Sequence, residues 1–303
     1  MSHLTFLQDL SPEDRARLTA LTNRAGLIHL AWHSTLILVP AVLIAAGVPG
    51  WPLLLMPLGL FLVFLFHLLH EATHETVFAA KALNIWVARV AGFILLIPPA
   101  WFRYFHFAHH KHTHDPDQDP ELATPKPRTW GSYIWYLTGA PLWRSVAVTL
   151  WTNATGGCDD AFVPTRQRNR ITAEARWMLL VYALLGGASI ALGSALLFWV
   201  WILPMLIGQP FLRAYLMAEH TDCPNVPDMF SNTRTIFANR AVRWLAWNMP
   251  YHAEHHAFPT VPFHQLPALH DMARTHLRET ETSYTAFHAG FSGRLTPAPG
   301  GQG

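Results

Sequence analysis

Long stretches without a formal charge constrain this chain more than any other feature of its sequence. Ala25–Val48 and Trp51–His70 contain no acidic residue, lysine or arginine, and Pro49 and Gly50 separate them. Each stretch is long enough to cross the ~30 Å hydrocarbon core of a bilayer as a helix, and Pro-Gly is a turn signal. The chain is 51 % hydrophobic and only 13 % charged. Together these features are typical of a membrane protein.

A third charge-free run, Trp177–Leu212, is too long for one upright crossing. Gly193 and Ser194 provide a turn within it, so we expect two further helices, the second reaching about His220. The sequence therefore predicts an all-α integral membrane fold with four transmembrane helices in two hairpins and a helical cytosolic cap. The predicted parts of this single domain, 1–303, are a cytosolic amphipathic N-terminus (1–24), the first two crossings (25–74), a cytosolic or interfacial region (75–174), the last two crossings (175–220), the cap (221–290) and a disordered tail (291–303).

Basic residues indicate how the chain is oriented. The turns near 47–51 and 192–195 carry no charge, whereas basic residues from Arg15 to Arg213 cluster on the opposite side. By the positive-inside tendency, both termini and every histidine cluster face the cytoplasm, and we expect a multi-pass protein of a bacterial inner membrane. No signal peptide is expected, because residues 1–24 are polar. Ile85–Trp101 is short for a crossing, and it must return if the histidines on both sides of it form one site.

Charge and cysteine content argue against several other classes of protein. A net charge of +2, from 21 basic and 19 acidic residues, provides no broad basic field, so nucleic acid is not an expected partner. Cys158 and Cys223 have no CxxC partner and are expected to be reduced thiols. No glycine-rich phosphate loop or GxGxxG motif occurs, so the sequence offers no nucleotide or flavin site.

Histidine is the most unevenly placed residue type. Fourteen of the 19 histidines lie in 67–74, in 106–114, at 220 and in 252–270. The segments HFAHH and HAEHH repeat an HxxHH spacing, and HEATHE adds two histidines at the end of the second predicted crossing. Imidazole is the commonest nitrogen ligand of metals. The pattern predicts a metal site formed by His70, His74, His106, His109, His110, His252, His255 and His256.

The HxxHH spacing also suggests how many metals to expect. Adjacent side chains on a helix diverge by about 100°, whereas the residue three positions later returns to nearly the same face. Each HxxHH segment can therefore serve two metals. We predict that one metal binds His106, His109, His252 and His255, and the other His70, His74, His110 and His256. The remaining histidines of the spans, His29, His33 and His67, are expected to be satisfied core residues, and His112, His114, His264 and His270 to be supporting or merely polar residues.

The ligand set favours iron over other metals and other sites. Imidazoles without cysteine argue against iron–sulfur clusters and structural zinc. A pair of irons beside the membrane suits reductive activation of O₂ and attack on an unactivated C–H bond of a lipid. HEATHE also contains the HExxH spacing of zinc proteases with Glu71 as general base, but the later spans lack an aspartate ligand. A metal transporter would carry its ionisable groups at mid-bilayer. Here the histidines gather at one face of the membrane, which argues against that class.

Three segments resemble the histidine boxes of the membrane fatty acid desaturase and hydroxylase family. They are HEATHE, RYFHFAHHKHTHDPDQDPE and NMPYHAEHHAFPTVPFHQLPALH, in the family's order and spacing. The resemblance implies a mushroom-like fold and two iron ions that use O₂ as co-substrate with two electrons. By resemblance to stearoyl-CoA-type members, His220 is a ninth ligand and joins the iron predicted at His106. Leu216 replaces an asparagine that holds an iron-bound water in those members.

The resemblance implies an enzyme that introduces a double bond into a fatty-acyl or related lipid chain entering from the membrane. A hydroxylase or ketolase of a carotenoid, alkane or other lipid shares the same motifs. The chain has no HPGG haem signature and no ferredoxin cysteines, so a separate ferredoxin or cytochrome b5 with its reductase is expected to supply electrons. Ligand histidines usually donate their second N–H to an oxygen. Asp119 and Glu254 are the leading candidate partners for those N–H groups, with Glu219 a further one, and Glu219 or Asn248 is the candidate for the water contact that Leu216 cannot make.

Overall fold

Residues 1–297 are described by a computed structural model, and helices dominate them. The helices are α1 (His3–Asp9), α2 (Pro12–Leu18), α3 (Asn23–Ala45), α4 (Leu55–Thr73), α5 (Lys81–Leu95), α6 (Pro99–His112), α7 (Trp130–Leu137), α8 (Ala140–Ala154), α9 (Arg168–Ala191), α10 (Leu203–His220), α11 (Met229–Asn232), α12 (Arg240–Leu245), α13 (His252–Ala257), α14 (Leu266–Ala273) and α15 (Tyr284–Ser292). Two short strands, β1 (Thr235–Ile236) and β2 (Thr280–Glu281), pair in parallel, with Thr235 opposite Thr280. The all-α prediction is confirmed.

Three helical segments of the described chain are long and apolar enough to cross a membrane. They are Pro12–Ala45, Trp51–Thr73 and Phe198–His220. Large apolar side chains on them are exposed, including Trp32 at 61 % and Leu53 at 81 %. A water-soluble protein rarely exposes so much apolar surface, so these faces fit a lipid environment. The first predicted hairpin is present, with its turn at Gly47–Gly50, where both glycines have positive φ.

The second predicted hairpin differs from expectation. Helix α9 begins at Arg168 rather than Trp177, and its first turns carry Arg170, Glu174 and Arg176. Because of those charges α9 is not among the three membrane-length segments. Its later part is nevertheless apolar and outward-facing, as Ile190 is 83 % exposed, and the predicted turn is present at Gly193. The count of four crossings stays a prediction.

The ambiguous segment after the first histidine pair is sharply bent. Helices α5 and α6 meet at 98° across a break at residues 96–98. The bend turns α6 back toward the end of α4, and His74 Nε2 lies 2.8 Å from His106 Nε2. The histidines on both sides of this segment therefore lie at one place, and the expectation that the segment does not cross the membrane stays a prediction. Counted together as one span, the two helices would raise the number of membrane-length segments to four.

Helices α4 and α10 pack closely through two glycines. A Cβ on Gly59 would lie 2.1 Å from the Pro204 carbonyl oxygen, and one on Gly208 would lie 2.3 Å from the Gly59 carbonyl oxygen. Small residues at such a contact let two backbones approach within a membrane. Both helices run from this contact toward their histidine-bearing ends. The contact therefore sets how His70 and His220 approach each other.

The termini refine two expectations. The N-terminal region, expected to be amphipathic, forms two short helices, and Ser11 caps the second, accepting a hydrogen bond from the Asp14 N–H at 3.0 Å. The predicted disordered tail, 291–303, begins inside α15, and Thr296 forms a bridge with Thr129. The tail is thus structured as far as 297, and 298–303 lie outside the described residues.

Candidate metal centre

Four helix ends bring nine histidines together. His70 and His74 lie at the end of α4, the HFAHH histidines in the last turns of α6, His220 at the last residue of α10, and the HAEHH histidines along α13. Seven of the nine are buried and His74 and His110 are half-buried. The nine are His70, His74, His106, His109, His110, His220, His252, His255 and His256. Every histidine that we predicted as a ligand is therefore at one place.

The nitrogens of these histidines form two groups. In the first cluster, His70, His74, His106, His110 and His255, one nitrogen from each ring lies within 4.8 Å of the others. In the second cluster, His109, His220 and His256, one nitrogen from each ring also lies within 4.8 Å of the others. His252 adjoins this cluster, because its Nε2 lies 3.1 Å from His220 Nε2. The rings of His110 and His256 stack at 4.0 Å between the two clusters. The site therefore has two adjoining sets of ligands.

This division differs from the predicted one. We predicted His106 and His255 to bind the same metal as His109, but the structure places them with His70 and His74. We predicted His256 to bind the other metal, but it lies with His109. Helix geometry accounts for the change. Residues four apart differ by only about 40° around the helix axis, and residues three apart by about 60°. In both HxxHH segments the first and last histidines share a cluster, and the middle one turns to the other.

The second cluster has its ring tautomers set by surrounding oxygens. His109 Nδ1 lies 3.0 Å from Asp119 Oδ1, and His220 Nδ1 lies 3.5 Å from the Asn232 carbonyl. Both oxygens only accept, so each Nδ1 carries the proton. The Thr113 hydroxyl donates to the His109 carbonyl and so accepts from His256 Nδ1 at 3.2 Å. These contacts leave the Nε2 atoms of the three histidines to face the interior of the cluster.

Ring nitrogens at such short separations need a shared proton or a metal ion between them. His109 Nε2 lies 3.2 Å from His220 Nε2 and 3.8 Å from Glu121 Oε2, so a proton or a metal ion can lie between the two nitrogens. In the first cluster, neither ring nitrogen of His70, His110 or His255 has a hydrogen-bond partner among the described residues, although all six atoms are buried. Buried polar atoms are normally satisfied. Both clusters therefore fit metal ions, which would bind these ring nitrogens.

Asp119 is the acidic residue most directly tied to the second cluster. Besides His109, it accepts hydrogen bonds from the backbone N–H groups of His114 and Glu121 at 2.9 and 3.0 Å. Burial alone would raise the pKa of Asp119, but these hydrogen bonds outweigh it and hold the pKa below the ordinary carboxyl value. A carboxylate so placed orients the His109 ring and raises its basicity.

Glu254 supports helix α13 itself rather than a ligand nitrogen. It is fully buried between the histidines that flank it, and its two oxygens contact His270 Nδ1 and the Thr235 hydroxyl, the latter at 2.5 Å. These contacts join α13 to α14 and β1. His270, which we expected to be either a supporting or a merely polar residue, therefore supports α13. The partners of Glu254 hold α13 in position rather than touching a ligand nitrogen.

The two remaining candidate partners occupy different positions. Glu219 is buried, with Oε1 3.5 Å from His252 Nδ1, an ion-pair distance without a hydrogen bond. Asn248 instead donates its side-chain amide to the Phe263 carbonyl at 3.0 Å, so it braces the loop after α13. Leu216 packs against the apolar core. Glu219 is therefore the candidate polar group at the end of α10.

Glu71, which would be the general base in a zinc protease, is held by structural contacts. One of its carboxylate oxygens accepts from the Thr76 hydroxyl at 2.7 Å and from the Phe263 N–H at 2.8 Å. These bonds tie the end of α4 to the loop that follows α13. In this position Glu71 supports the histidine-bearing segments.

The histidines expected to be core residues lie away from the clusters. His33 Nε2 lies 2.9 Å from the Phe61 carbonyl, and Trp247 Nε1 donates to His33 Nδ1 at 3.2 Å. His29 lies against the same indole ring at a centroid distance of 4.0 Å. His67 packs on Tyr215. His29 and His33 therefore anchor Trp247, which precedes α13.

Sequence reasoning missed the arginine that closes α10. Arg234 Nη1 donates to the carbonyls of Ala218 and Thr221 at 2.7 and 2.9 Å, and the Arg234 N–H donates to the Glu219 carbonyl. These bonds satisfy carbonyls at a helix end, which otherwise lack partners. Arg234 thereby holds His220 in place. Its distance of 14 residues from His220 along the sequence leaves no local motif that would have revealed it.

Several known proteins are similar to this chain. The family model described as fatty acid desaturase matches residues 49–288. Dihydrorhizobitoxine desaturase of Bradyrhizobium elkanii is 26 % identical over 92 % of this chain and 82 % of its own length. A fatty acid conjugase of Calendula officinalis is 25 % identical over 70 % of this chain and 64 % of its own.

A mammalian protein is similar at the same level. The sphingolipid delta(4)-desaturase/C4-monooxygenase of Mus musculus is 24 % identical over 68 % of this chain. The chain spans 60 % of that protein and 64 % of the plant conjugase. All the clustered histidines fall inside the region that the family model matches. Because this region is more than half of the chain, the protein belongs to the fatty acid desaturase family and is a membrane-associated oxidoreductase of lipid metabolism.

Proposed function

We propose that this protein is an O₂-dependent di-iron oxidoreductase that introduces a double bond into a fatty-acyl or related lipid chain. The observation that carries the proposal is the pair of adjoining all-histidine clusters at the ends of apolar, membrane-length helices. When bound, two iron ions would supply reductive activation of O₂ and removal of hydrogen from an unactivated C–H bond. Nitrogen ligands without cysteine suit iron in this role.

The chain's own residues would orient the ligands and keep water out. His70, His74, His106, His110 and His255 would hold one ion, and His109, His220, His252 and His256 the other. Asp119 and Thr113 keep the second set in the tautomer that presents Nε2. Because seven of the nine rings are buried, bulk water has little access, which protects a reactive centre from side reactions.

The membrane setting indicates the kind of substrate. Exposed apolar faces on the membrane-length segments would let a lipid approach sideways from the bilayer. We place the clusters and both termini on the cytoplasmic side of a bacterial inner membrane, with α9 as a further crossing. The plant relative is named for a fatty acid and the mouse relative for a sphingolipid. We infer an acyl chain as the substrate class.

Hydroxylation is the second candidate reaction on this scaffold. The mouse relative is named both as a desaturase and as a C4-monooxygenase. Leu216 is an apolar core residue here, where resemblance to stearoyl-CoA-type members leads one to expect an asparagine. A change at that position bears on how the metal is hydrated. The reaction outcome therefore needs a product assay.

Electrons would come from a separate protein. We propose a ferredoxin or cytochrome b5 type donor, with its reductase, docking on the basic cytoplasmic face. An acidic donor would be steered to such a face by long-range attraction that weakens with salt. Turnover of the purified protein with NAD(P)H and O₂ alone would contradict this part of the proposal.

Lipid profiling tests the proposed reaction. Cells that express the protein with iron and a donor are compared with cells that lack it, and lipids are analysed by mass spectrometry. Desaturation removes two hydrogen atoms from an acyl chain, whereas hydroxylation adds one oxygen atom. A product carrying an added oxygen and no new double bond would sink the desaturase proposal.

Single variants identify the ligands in the same cells. His110→Ala and His256→Ala are expected to abolish activity while the protein stays in the membrane, because each removes a nitrogen from a cluster. His112→Ala is the matched control, since it changes a histidine on the same helix as His110 that belongs to neither cluster. Retained turnover in either ligand variant would remove that residue from the proposed set.

A further inference from the structure

A polar cavity lies beside the first cluster, outside the histidines themselves. It has a volume of about 220 Å³ and lies between the end of α4, helix α5 and the first turns of α6 and α9. Four basic side chains line it, Lys81, Arg89, Arg103 and Arg170, against two carboxylates, Glu75 and Glu174. Its lining therefore has an excess of positive charge.

The two carboxylates are already engaged by their neighbours. Glu75 lies 3.1 Å from Lys81 Nζ and 3.2 Å from Arg103 Nη2. Glu174 accepts a hydrogen bond from the Ala100 N–H at 2.7 Å. Lys81 and Arg103 thus have a partner in Glu75, while the negative charge of Glu174 is shared with a backbone group. These contacts fix the walls of the cavity, and Glu174 also attracts Arg89 and Arg170, so the lining keeps an excess of two positive charges.

Arg89 and Arg170 are the charges left over. Both side chains are exposed, and neither makes an ion pair with any residue between 1 and 297. They approach the cavity from different helices, α5 and α9. Two guanidinium groups at one opening match the planar, multiply accepting oxygens of a carboxylate or a phosphate.

The surface next to these arginines is apolar. Trp86 and Val90, on the same helix as Arg89, are 62 % and 58 % exposed. The guanidinium carbon of Arg89 lies 5.0 Å from the centre of the Trp86 ring. Tryptophan is enriched where membrane proteins meet the headgroup layer. A ligand with an anionic head and an apolar tail would contact both kinds of surface at once.

The cavity also lies close to the first cluster, because residues that line it are near cluster histidines along the chain. Ala72 and Thr73 line it, and His74 is the next residue along the chain. Arg103 lines it too, donates a hydrogen bond to the Thr73 carbonyl, and precedes His106 by three residues on α6. A head group bound here would lie about one helical turn from two cluster histidines.

We propose that this cavity binds the anionic head group, carboxylate or phosphate, of a membrane amphiphile. Arg89 and Arg170 receive the oxygens, while Lys81 and Arg103 keep Glu75 from repelling them. The amphiphile's apolar part lies along Trp86 and Val90 on α5. The inference concerns binding and does not depend on which oxidation the protein performs, so it can fail or hold independently of the proposed reaction.

Direct binding measurements test this site. The full chain is purified in a neutral detergent, and the affinity for dioleoyl phosphatidylglycerol is compared with that for dioleoyl phosphatidylcholine. The variant Arg89→Gln with Arg170→Gln is expected to bind the anionic lipid about tenfold or more weakly, because charge-assisted hydrogen bonds are lost. Arg89→Lys with Arg170→Lys should retain most of the affinity. Arg240→Gln with Arg274→Gln, two exposed arginines that do not line the cavity, is the matched control.

Further probes distinguish the source of the head group. If oleate binds in an Arg89- and Arg170-dependent way, the site takes the carboxylate of an acyl chain. If only phosphatidylglycerol does, the site takes a lipid of the surrounding bilayer; either result supports the proposal. Equal affinity for both phospholipids together with oleate binding that does not depend on the two arginines, an unchanged affinity in the Gln variant, an equal loss in the control, or binding of inorganic phosphate without any amphiphile would overturn it.

Discussion

Asp119 Oδ1 lies 3.0 Å from His109 Nδ1, and both side chains are almost completely buried. The carboxylate therefore decides which nitrogen of His109 carries the proton and which faces the second cluster. Because Asp119 also accepts two backbone N–H groups, its own position is fixed by the loop after α6. One residue thus couples the fold of that loop to the tautomer of a histidine in the site.

Asp119→Asn is expected to weaken metal binding. The amide is uncharged and no longer strengthens His109 as a base, and losing such a partner typically costs 10–100-fold in metal affinity or activity, so about that range is expected. Metal content per chain, measured by elemental analysis after purification and dialysis, checks the prediction. Asp117→Asn, an exposed aspartate in the same loop, should leave the metal content unchanged. A loss of equal size in both variants would contradict the role given to Asp119.

Gly59→Ala is expected to destabilise the helix pair that carries His70 and His220. The added Cβ would lie 2.1 Å from the Pro204 carbonyl oxygen, a backbone atom that cannot swing away. Overpacking of this kind costs about 1–3 kcal/mol, so thermal unfolding in detergent should occur at a lower temperature. Gly186→Ala on α9 meets nothing within 4 Å and should be neutral or slightly stabilising. Equal effects at both positions would contradict the close contact.

Much of the fold and the site follows from local sequence. The first hairpin was predictable because charge-free length and a Pro-Gly turn are local properties. Six of the nine clustered histidines were predictable because two boxes repeat one spacing, two more because they lie one helical turn apart in HEATHE, and His220 was predicted only from the family resemblance. Helix α9 was placed too late, since its start at Arg168 has charged residues that the apolar pattern excludes. That helix begins where its first turns pack on α8 and α6, which the sequence does not display.

The division of histidines between the clusters could not be read from spacing alone. Spacing allows both the three-residue and the four-residue pairs to share a face, and the choice depends on how α6 and α13 are rotated about their axes. That rotation is set by distant contacts, such as Glu254 with His270 and Trp247 with His33. Arg234 was missed for the same reason, because its partners are carbonyls at the end of another element.

The thiol of Cys223 is expected to resist alkylation in the folded protein. Burial raises its pKa to about 12, three units above its reference value of 9.0. The reactive thiolate is then about a thousandfold scarcer near neutral pH. Labelling with N-ethylmaleimide at pH 8, followed by mass spectrometry, should leave Cys223 unmodified, with labelling rising only as the pH approaches 12. Denatured protein is the control and should be labelled at both cysteines. Rapid labelling of native Cys223 at pH 8 would show that this thiol is accessible.

Paired substitutions test how the histidines divide between two metals. His74 and His255 lie in the first cluster, and His256 lies in the second. The variant His74→Ala with His255→Ala removes two ligands from one cluster, so about one metal per chain should remain. His74→Ala with His256→Ala removes one ligand from each cluster and leaves four of five and three of four, so at saturating free metal more than one metal per chain should remain. The division based on three-residue spacing predicts the reverse order, because it assigns His74 and His256 to the same metal. Metal content of the two purified variants, measured side by side at equal free metal, therefore decides between the two arrangements.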